Sequence, residues 1–132
     1  MTGLSTKVRR QVADRDRGTC LRCGARGTNV QHRIGRGMGG TSRSDVSELA
    51  ALVTLCGSGT TGCHGHITTH PEESYATGWA IRRSDATPAS EIPLTDLHGS
   101  RFFLTEEGDI VPVDGWPIWA LSGLEQRPGG VL

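Results

Sequence analysis

The sequence predicts a small α+β domain that depends on more than its hydrophobic core for stability. Three observations lead to this prediction. Patterns typical of short helices alternate with patterns typical of short strands, apolar residues make up only 35% of the chain, and glycine accounts for 19 of its 132 residues. A chain of this length forms one ordinary domain with one modest core. We therefore expect an additional source of stability, such as a bound metal.

The first predicted element is an amphipathic helix near the N-terminus. Ser5 can cap its start, and the helix is expected to run to about Asp16 before Gly18 ends it. Val8 and Val12 are four positions apart, so they share one face, and basic residues occupy the other faces.

Short strands are predicted in three places. Residues 29–34 form an extended run, residues 52–56 have the β-like sequence LVTLC, and residues 98–113 have the pattern of a hairpin that turns at residues 107–109. Residues 79–94 are expected to form a loop with apolar anchors.

Helices and flexible segments complete the prediction. CHGHITT, starting at Cys63, is typical of the first turns of a helix, which is interrupted at Pro71, and a second short helix should stop at Gly78. Residues 35–45 form a glycine-rich loop in which several positions could adopt positive φ. The last residues of the tail, which contain Pro-Gly-Gly, are expected to be loose.

Four cysteines come in two pairs, Cys20-x2-Cys23 and Cys56-x6-Cys63. A C-x2-C knuckle presents two sulfurs to one tetrahedral ion, and a second pair from distant sequence can complete the shell. The second spacing is wide, but the insert GSGTTG at 57–62 is small enough to bulge outward without moving the sulfurs. A structural zinc is the prediction. A redox pair at Cys20 and Cys23, or unrelated buried thiols, are the alternatives, and neither explains the pairing.

Charge is distributed unevenly, although the formal net charge is zero. Residues 1–43 contain ten Lys and Arg residues against two Asp residues, which gives this segment +8 and leaves −8 on the remainder. This asymmetry favours a surface that faces a polyanion. A solvated basic helix is the alternative.

No segment of the sequence is long and apolar enough for a membrane span, and the N-terminal residues lack the features of a secretory signal. We expect a soluble protein of a reducing compartment, where cysteines more often bind metals than form disulfides.

The histidines suggest a second site. His64 follows Cys63 directly, and adjacent side chains diverge, so a zinc-bound Cys63 leaves His64 pointing elsewhere. A second metal site is the natural inference. His66 and His70 are four positions apart and would share a helix face.

Several motifs together resemble one family. The series C-x2-C, V-Q-H-R-I-G-R-G-M-G-G, L-V-T-L-C-G-S-G-T-T-G-C-H-G and H-P-x6-G is similar to the HNH endonucleases encoded by tailed phages and prophages of actinobacteria. The resemblance covers about residues 6–83, and the acidic hairpin at 98–113 also resembles the C-terminal part of those proteins. It implies a ββα-metal (HNH) finger with a four-cysteine zinc knuckle in residues 1–83. Residues 84–132 would form a C-terminal extension, a β-hairpin and a flexible tail, packed on the same domain.

The resemblance also implies roles for individual residues. His32 on the first strand corresponds to the general base, and His64 at the start of the helix corresponds to a ligand of one divalent ion, such as Mg²⁺, Mn²⁺, Ni²⁺ or Zn²⁺. General base catalysis suits a histidine, and a metal beside a phosphoryl oxygen acts as a Lewis acid. Arg33 and Arg36 would lie beside the base and bind DNA phosphates.

Three positions depart from the family pattern. Gln31 stands where an Asp or His usually binds the metal, Ala51 stands where Asn is usual, and Thr68 occupies the usual position of the third ligand. His70, next to a proline, is the predicted substitute ligand. His66 is a weaker candidate, with packing on the inner side of the helix as its alternative role.

The predicted function is therefore a metal-dependent HNH endonuclease that nicks or cuts double-stranded DNA. The resemblance implies a phage protein of the host cytoplasm that assists genome processing or packaging, with terminase or portal as a partner, and we expect a monomer. One alternative is a catalytically impaired HNH-like zinc module that binds DNA or a packaging partner. The other is a zinc-ribbon-like adaptor with no nucleic-acid role.

Overall fold

A computed structural model describes residues 4–35 and 48–113, which form a mixed α+β structure. The elements in chain order are α1 (Thr6–Asp16), β1 (Asn29–His32), β2 (Leu52–Leu55), α2 (Gly62–Thr69), α3 (Pro71–Thr77), β3 (Leu94–Thr95), β4 (Arg101–Leu104) and β5 (Ile110–Pro112). Single 3-10 turns lie at Leu49–Ala51 and Ala89–Glu91. The predicted α+β class is confirmed. Arg36, most of the glycine-rich loop and the tail after residue 113 lie outside the described residues.

Helix α1 has the predicted start and the predicted end. Ser5 caps it, since the Ser5 Oγ accepts a hydrogen bond of 3.1 Å from the Val8 N–H. The helix ends at Asp16, as predicted, and Arg17 rather than Gly18 is its C-cap, with a left-handed φ of 58°. Val12 is fully buried, as the helical pattern predicted.

A buried ion pair attaches the end of α1 to β2. The Asp16 carboxylate is almost completely buried, accepts a 3.0 Å hydrogen bond from the Thr54 N–H and pairs with Arg15 at 2.6 Å. The Arg15 guanidinium also donates to the Leu49 carbonyl at 2.8 Å. These bonds fix the helix against the strand that leads to Cys56.

The first sheet is an antiparallel pair of β1 and β2, in which Asn29 lies opposite Leu55 and His32 opposite Leu52. The observed β1 is two residues shorter than the predicted run, because Ile34 leaves the sheet and forms a parallel bridge with Ile81. All four residues of β2 are buried.

Helix α2 is the next helix after β2 and begins at Gly62, one residue before the predicted start at Cys63. It packs against β2, which gives the chain a strand, strand, helix order around the cysteines. Helix α3 begins at Pro71 and ends at Gly78, as predicted.

The second sheet has the order β3-β4-β5 and is antiparallel throughout. The hairpin of β4 and β5 was predicted, whereas the two-residue β3 was not. One hydrophobic core includes residues from both sheets. Its larger members are Ile34, Val53, Leu55, Ile67, Trp79, Ile81, Leu94, Phe102 and Leu104. Within the described residues, no helix combines the length and apolar character needed to cross a membrane.

Candidate metal centre

The knuckle between α1 and β1 presents the first two cysteines. The Cys20 N–H donates to the Ala25 carbonyl at 2.7 Å, and the Gly24 N–H donates back to the Cys20 carbonyl at 2.9 Å. Gly24 has a φ of 88°, which a residue with a side chain rarely adopts, so the turn depends on glycine. The tight turn holds Cys20 and Cys23 on one side of the chain.

The second pair comes from the end of β2 and the first turn of α2. Between Cys56 and Cys63 the chain leaves at Gly57 and returns at Gly62, and both glycines have positive φ values, 86° and 64°. Their backbones are so close that a Cβ on Gly57 would overlap Thr61, and one on Gly62 would overlap Gly57. The insert therefore bulges outward, as its composition predicted.

All four sulfurs converge. The Sγ atoms of Cys20, Cys23, Cys56 and Cys63 lie within 4.8 Å of one another, and those of Cys23 and Cys56 are 3.6 Å apart. A disulfide would need about 2.05 Å, and all four cysteines are free. Tetrahedral coordination with a Zn–S bond of about 2.3 Å places the sulfurs roughly 3.8 Å apart. The four-cysteine cluster thus has the spacing of a tetrahedral metal site.

The surroundings of the thiols make them unequal in acidity. Burial raises the pKa of the Cys63 thiol to about 12, against the opposing effect of a hydrogen bond from Arg22. Burial also raises the pKa of Cys23, whereas the backbone N–H of Cys63 lowers the pKa of Cys56. Four crowded thiols do not ionise together without a cation, so binding of a metal here would release protons.

His64 lies beside the cluster, in the first turn of α2. Its backbone N–H donates to the Cys56 carbonyl at 3.1 Å. Its side-chain Nδ1 is buried and has no hydrogen-bond partner among residues 4–35 and 48–113. A buried ring nitrogen in this state calls for a water or an ion. This atom is therefore compatible with the predicted ligand role of His64.

His32 is the last residue of β1 and is half-buried, with its Nε2 atom inside the protein. Gln31, also half-buried, precedes His32 in β1 and lies opposite Val53. Because successive side chains of a strand point to opposite faces, the side chains of Gln31 and His32 leave β1 on opposite faces. The strand positions of both residues agree with the expectation, while their roles stay predictions.

His66 and His70 form a cluster of their own at the junction of α2 and α3. Their rings stack with centroids 3.9 Å apart, and the His70 Nδ1 shares short contacts with the His66 carbonyl and the Thr69 hydroxyl. The His66 Nε2 lies 2.9 Å from the Glu73 carboxylate, and this hydrogen bond lowers the pKa of Glu73. The ligand role of His70 stays a prediction.

The cysteines form the only group of three or more His, Cys, Asp or Glu ligands that converge within the part of the chain described. Thr68 does not replace the usual third ligand of the second ion, because its hydroxyl donates a hydrogen bond to the His64 carbonyl at 2.9 Å. Ala51 is fully buried in the core. The described residues therefore fit one four-thiolate metal, and they supply only part of a ligand set for a second ion.

The prediction that Arg33 binds phosphates is wrong. Arg33 is only 1% exposed, and its guanidinium donates hydrogen bonds to four backbone carbonyls. The acceptors are the carbonyls of Gly78 at 2.9 Å, Ala50 at 2.7 Å, Ala89 at 3.1 Å and Ile92 at 2.8 Å. The side chain ties together segments that are far apart in sequence. Arg36, the other predicted DNA-binding residue, lies outside the described residues.

Two residues were missed by sequence reasoning. Arg22 is nearly buried and donates a 3.1 Å hydrogen bond to the Cys63 sulfur. Its place inside the Cys-Leu-Arg-Cys knuckle was the signal that could have revealed this contact. Asp16, which holds α1 to β2, had no distinguishing sequence signal.

Comparison with protein-family models, with curated proteins and with solved structures found no match for this chain.

Proposed function

We propose that the chain is a metal-dependent endonuclease of the HNH type, organised by zinc at the four cysteines and acting on double-stranded DNA. The observation that carries the proposal is the position of two histidines on the elements β1, β2 and α2. His32 ends the first strand, and His64 lies in the first turn of the helix with a buried Nδ1 that has no partner among the described residues.

In the proposed reaction a water oxygen attacks the scissile phosphorus, and His32 accepts the proton that this water loses. The bond from phosphorus to the leaving oxygen breaks, and that oxygen takes up a proton from the solvent. A divalent ion held by His64, when bound, would supply Lewis-acid stabilisation of the phosphate charge. Gln31 and His70 remain the candidates for its other protein ligands.

Because Arg33 is buried, the proposed DNA-binding surface is helix α1. Three of the ten basic residues in the N-terminal third, Arg15, Arg22 and Arg33, have their guanidinium groups engaged inside the protein. Lys7, Arg9, Arg10 and Arg17 are exposed on or beside α1. Such a cluster can bind phosphates without reading bases, so we expect weak sequence specificity.

A second candidate function is a module that binds DNA or a packaging partner without cleaving it. The observation that favours it is the lack of a second group of three converging metal ligands among the described residues. In both cases a role in phage genome packaging beside terminase or portal, in the host cytoplasm, rests on the resemblance of the motifs.

Plasmid nicking distinguishes the two candidates. Supercoiled DNA is incubated with the zinc-loaded protein and with Mg²⁺, Mn²⁺, Ni²⁺ or additional Zn²⁺, and open-circular product is measured. The nuclease proposal expects nicking with at least one ion, its loss in His32→Ala and its retention in His98→Ala. His98 is a suitable control because it is an exposed histidine on the turn before β4.

Three results would count against the proposal. Nicking that persists in His32→Ala removes His32 from the mechanism. Salt-sensitive DNA binding without nicking under any of the four ions favours the second candidate. Absence of both nicking and DNA binding favours the adaptor that the sequence left open.

A further inference from the structure

Arg22 joins three segments around the cysteine cluster. It belongs to the knuckle between Cys20 and Cys23, and only 8% of its surface is exposed. One guanidinium nitrogen donates to the Cys63 Sγ at 3.1 Å, and the other terminal nitrogen lies 3.5 Å from the Glu73 carboxylate. A single side chain therefore connects the knuckle, the start of α2 and the first turn of α3.

Glu73 contacts both Arg22 and His66. The same carboxylate oxygen, Oε2, is 2.9 Å from the His66 Nε2 and 3.5 Å from Arg22. Glu73 is half-exposed while Arg22 is nearly buried, so the charged contact runs from the surface to the sulfur. Because the Arg22 guanidinium is planar and its donors are fixed in a fork, the hydrogen bond to the sulfur and the ion pair with the carboxylate together define its orientation.

The positive charge of Arg22 can balance the negative charge of a metal-bound cysteine cluster. Four thiolates around a divalent cation carry a net charge of −2, and this charge is partly buried because Cys20 and Cys63 are almost inaccessible. A buried negative charge needs a nearby positive partner or hydrogen-bond donors. Arg22 supplies both at Cys63, the sulfur on α2.

We propose that Arg22 is a positioning residue of the metal centre: it orients and stabilises the Cys63 thiolate, and Glu73 holds Arg22 in place. The proposal rests on metal binding by the four cysteines, and it does not depend on DNA cleavage. Groups that orient metal ligands from outside typically change metal affinity by about 10–100-fold when they are removed. We expect a loss of that size for Arg22.

Zinc affinity is the first test. Zinc dissociation constants are measured by competition with a chromophoric chelator for the full chain and for Arg22→Leu, Arg22→Lys, Glu73→Gln and Arg26→Leu. Arg26 is the matched control, an exposed arginine of the same knuckle region. We expect affinity to fall about 10–100-fold in Arg22→Leu, less in Arg22→Lys and Glu73→Gln, and to be unchanged in Arg26→Leu.

Cobalt spectroscopy separates positioning from general destabilisation. With Co²⁺ in the site, loss of the hydrogen bond to Cys63 should move the sulfur-to-cobalt charge-transfer band to longer wavelength in Arg22→Leu, with a smaller shift in Arg22→Lys. Unchanged affinity and an unchanged band in Arg22→Leu would overturn the proposal. If Arg22→Leu does not fold, unchanged affinity in both Arg22→Lys and Glu73→Gln overturns it. A parent protein that binds neither zinc nor cobalt refutes the metal site itself, and plasmid nicking is measured separately.

Discussion

The Sγ atoms of Cys23 and Cys56 are 3.6 Å apart, although the two residues are 33 positions apart in the sequence. Cys23 belongs to the knuckle after α1, and Cys56 directly follows β2. An ion shared by these sulfurs would add a further link between segments that already meet through backbone hydrogen bonds, such as that from the Leu21 N–H to the Thr54 carbonyl at 3.0 Å, and through the Asp16 contact to β2. We therefore expect a metal at the four cysteines to contribute strongly to the stability of the protein.

Removal of the metal is expected to unfold the N-terminal part of the chain. A structural zinc contributes about 10–16 kcal/mol of apparent folding free energy in small domains, which is comparable with a typical net stability of about 5–15 kcal/mol. Circular dichroism during titration with a strong chelator should show cooperative loss of structure, reversed by added zinc. All four thiols should become reactive to alkylation at the same chelator concentration, which provides an independent check. A chelated protein with an unchanged spectrum would refute this dependence.

The insert between Cys56 and Cys63 offers a matched pair of glycine substitutions. Gly57→Ala places a Cβ against the Thr61 backbone at a φ of 86°, so we expect a loss of more than about 1 kcal/mol in unfolding free energy and weaker metal binding. Gly59→Ala should be nearly neutral, because a Cβ there meets no atom within 4 Å. Chemical denaturation and zinc competition measure both effects. Equal unfolding free energies and zinc affinities in the two variants would contradict the close approach of the Gly57 and Thr61 backbones.

Arg33 is expected to matter for stability rather than for DNA binding. Arg33→Met removes the donors to four carbonyls, and we expect a loss of about 3 kcal/mol or more. Arg33→Lys should not restore stability, because an ammonium group cannot reproduce the guanidinium fork. Denaturant unfolding measures the change. A variant with parental stability but weak DNA binding would return Arg33 to the phosphate-binding role that its burial excludes.

The exposed basic residues of α1 are expected to carry nonspecific DNA affinity. The double substitution Lys7→Gln and Arg10→Gln should reduce the steepness of log K against log salt by about 2, because each phosphate contact contributes about 0.9 to that slope. Arg101→Gln, an exposed arginine on β4, is the charge control. Fluorescence anisotropy on a short duplex at several salt concentrations provides the slopes. An equal reduction in the Arg101 control would show that total charge, and not α1, governs binding.

Local signals in the sequence predicted much of the structure. Ser5, Pro71 and Gly78 mark helix ends through their own backbone and side-chain chemistry, so these boundaries were predictable to within a residue or two. The paired cysteines predicted their convergence, because one tetrahedral ion needs four ligands. The small residues of the insert predicted the outward bulge.

Long-range contacts account for what sequence reasoning missed. Arg33 follows the pattern of an outward-facing strand residue, and its burial depends on carbonyls up to 59 positions away. Strand β3 has only two residues, too few for a periodic pattern, and exists because β4 pairs with it. The contact of Arg22 with Cys63 spans 41 positions. None of these partners is encoded near the residue concerned.

Zinc K-edge X-ray absorption on the purified protein would reveal whether one ion joins the two cysteine pairs. We expect one zinc per chain with four sulfur ligands at about 2.3 Å, and the loss of one sulfur from that shell in Cys63→Ser. A protein without zinc, a shell dominated by nitrogen or oxygen, or a Cys20–Cys23 disulfide in place of the metal would contradict this expectation.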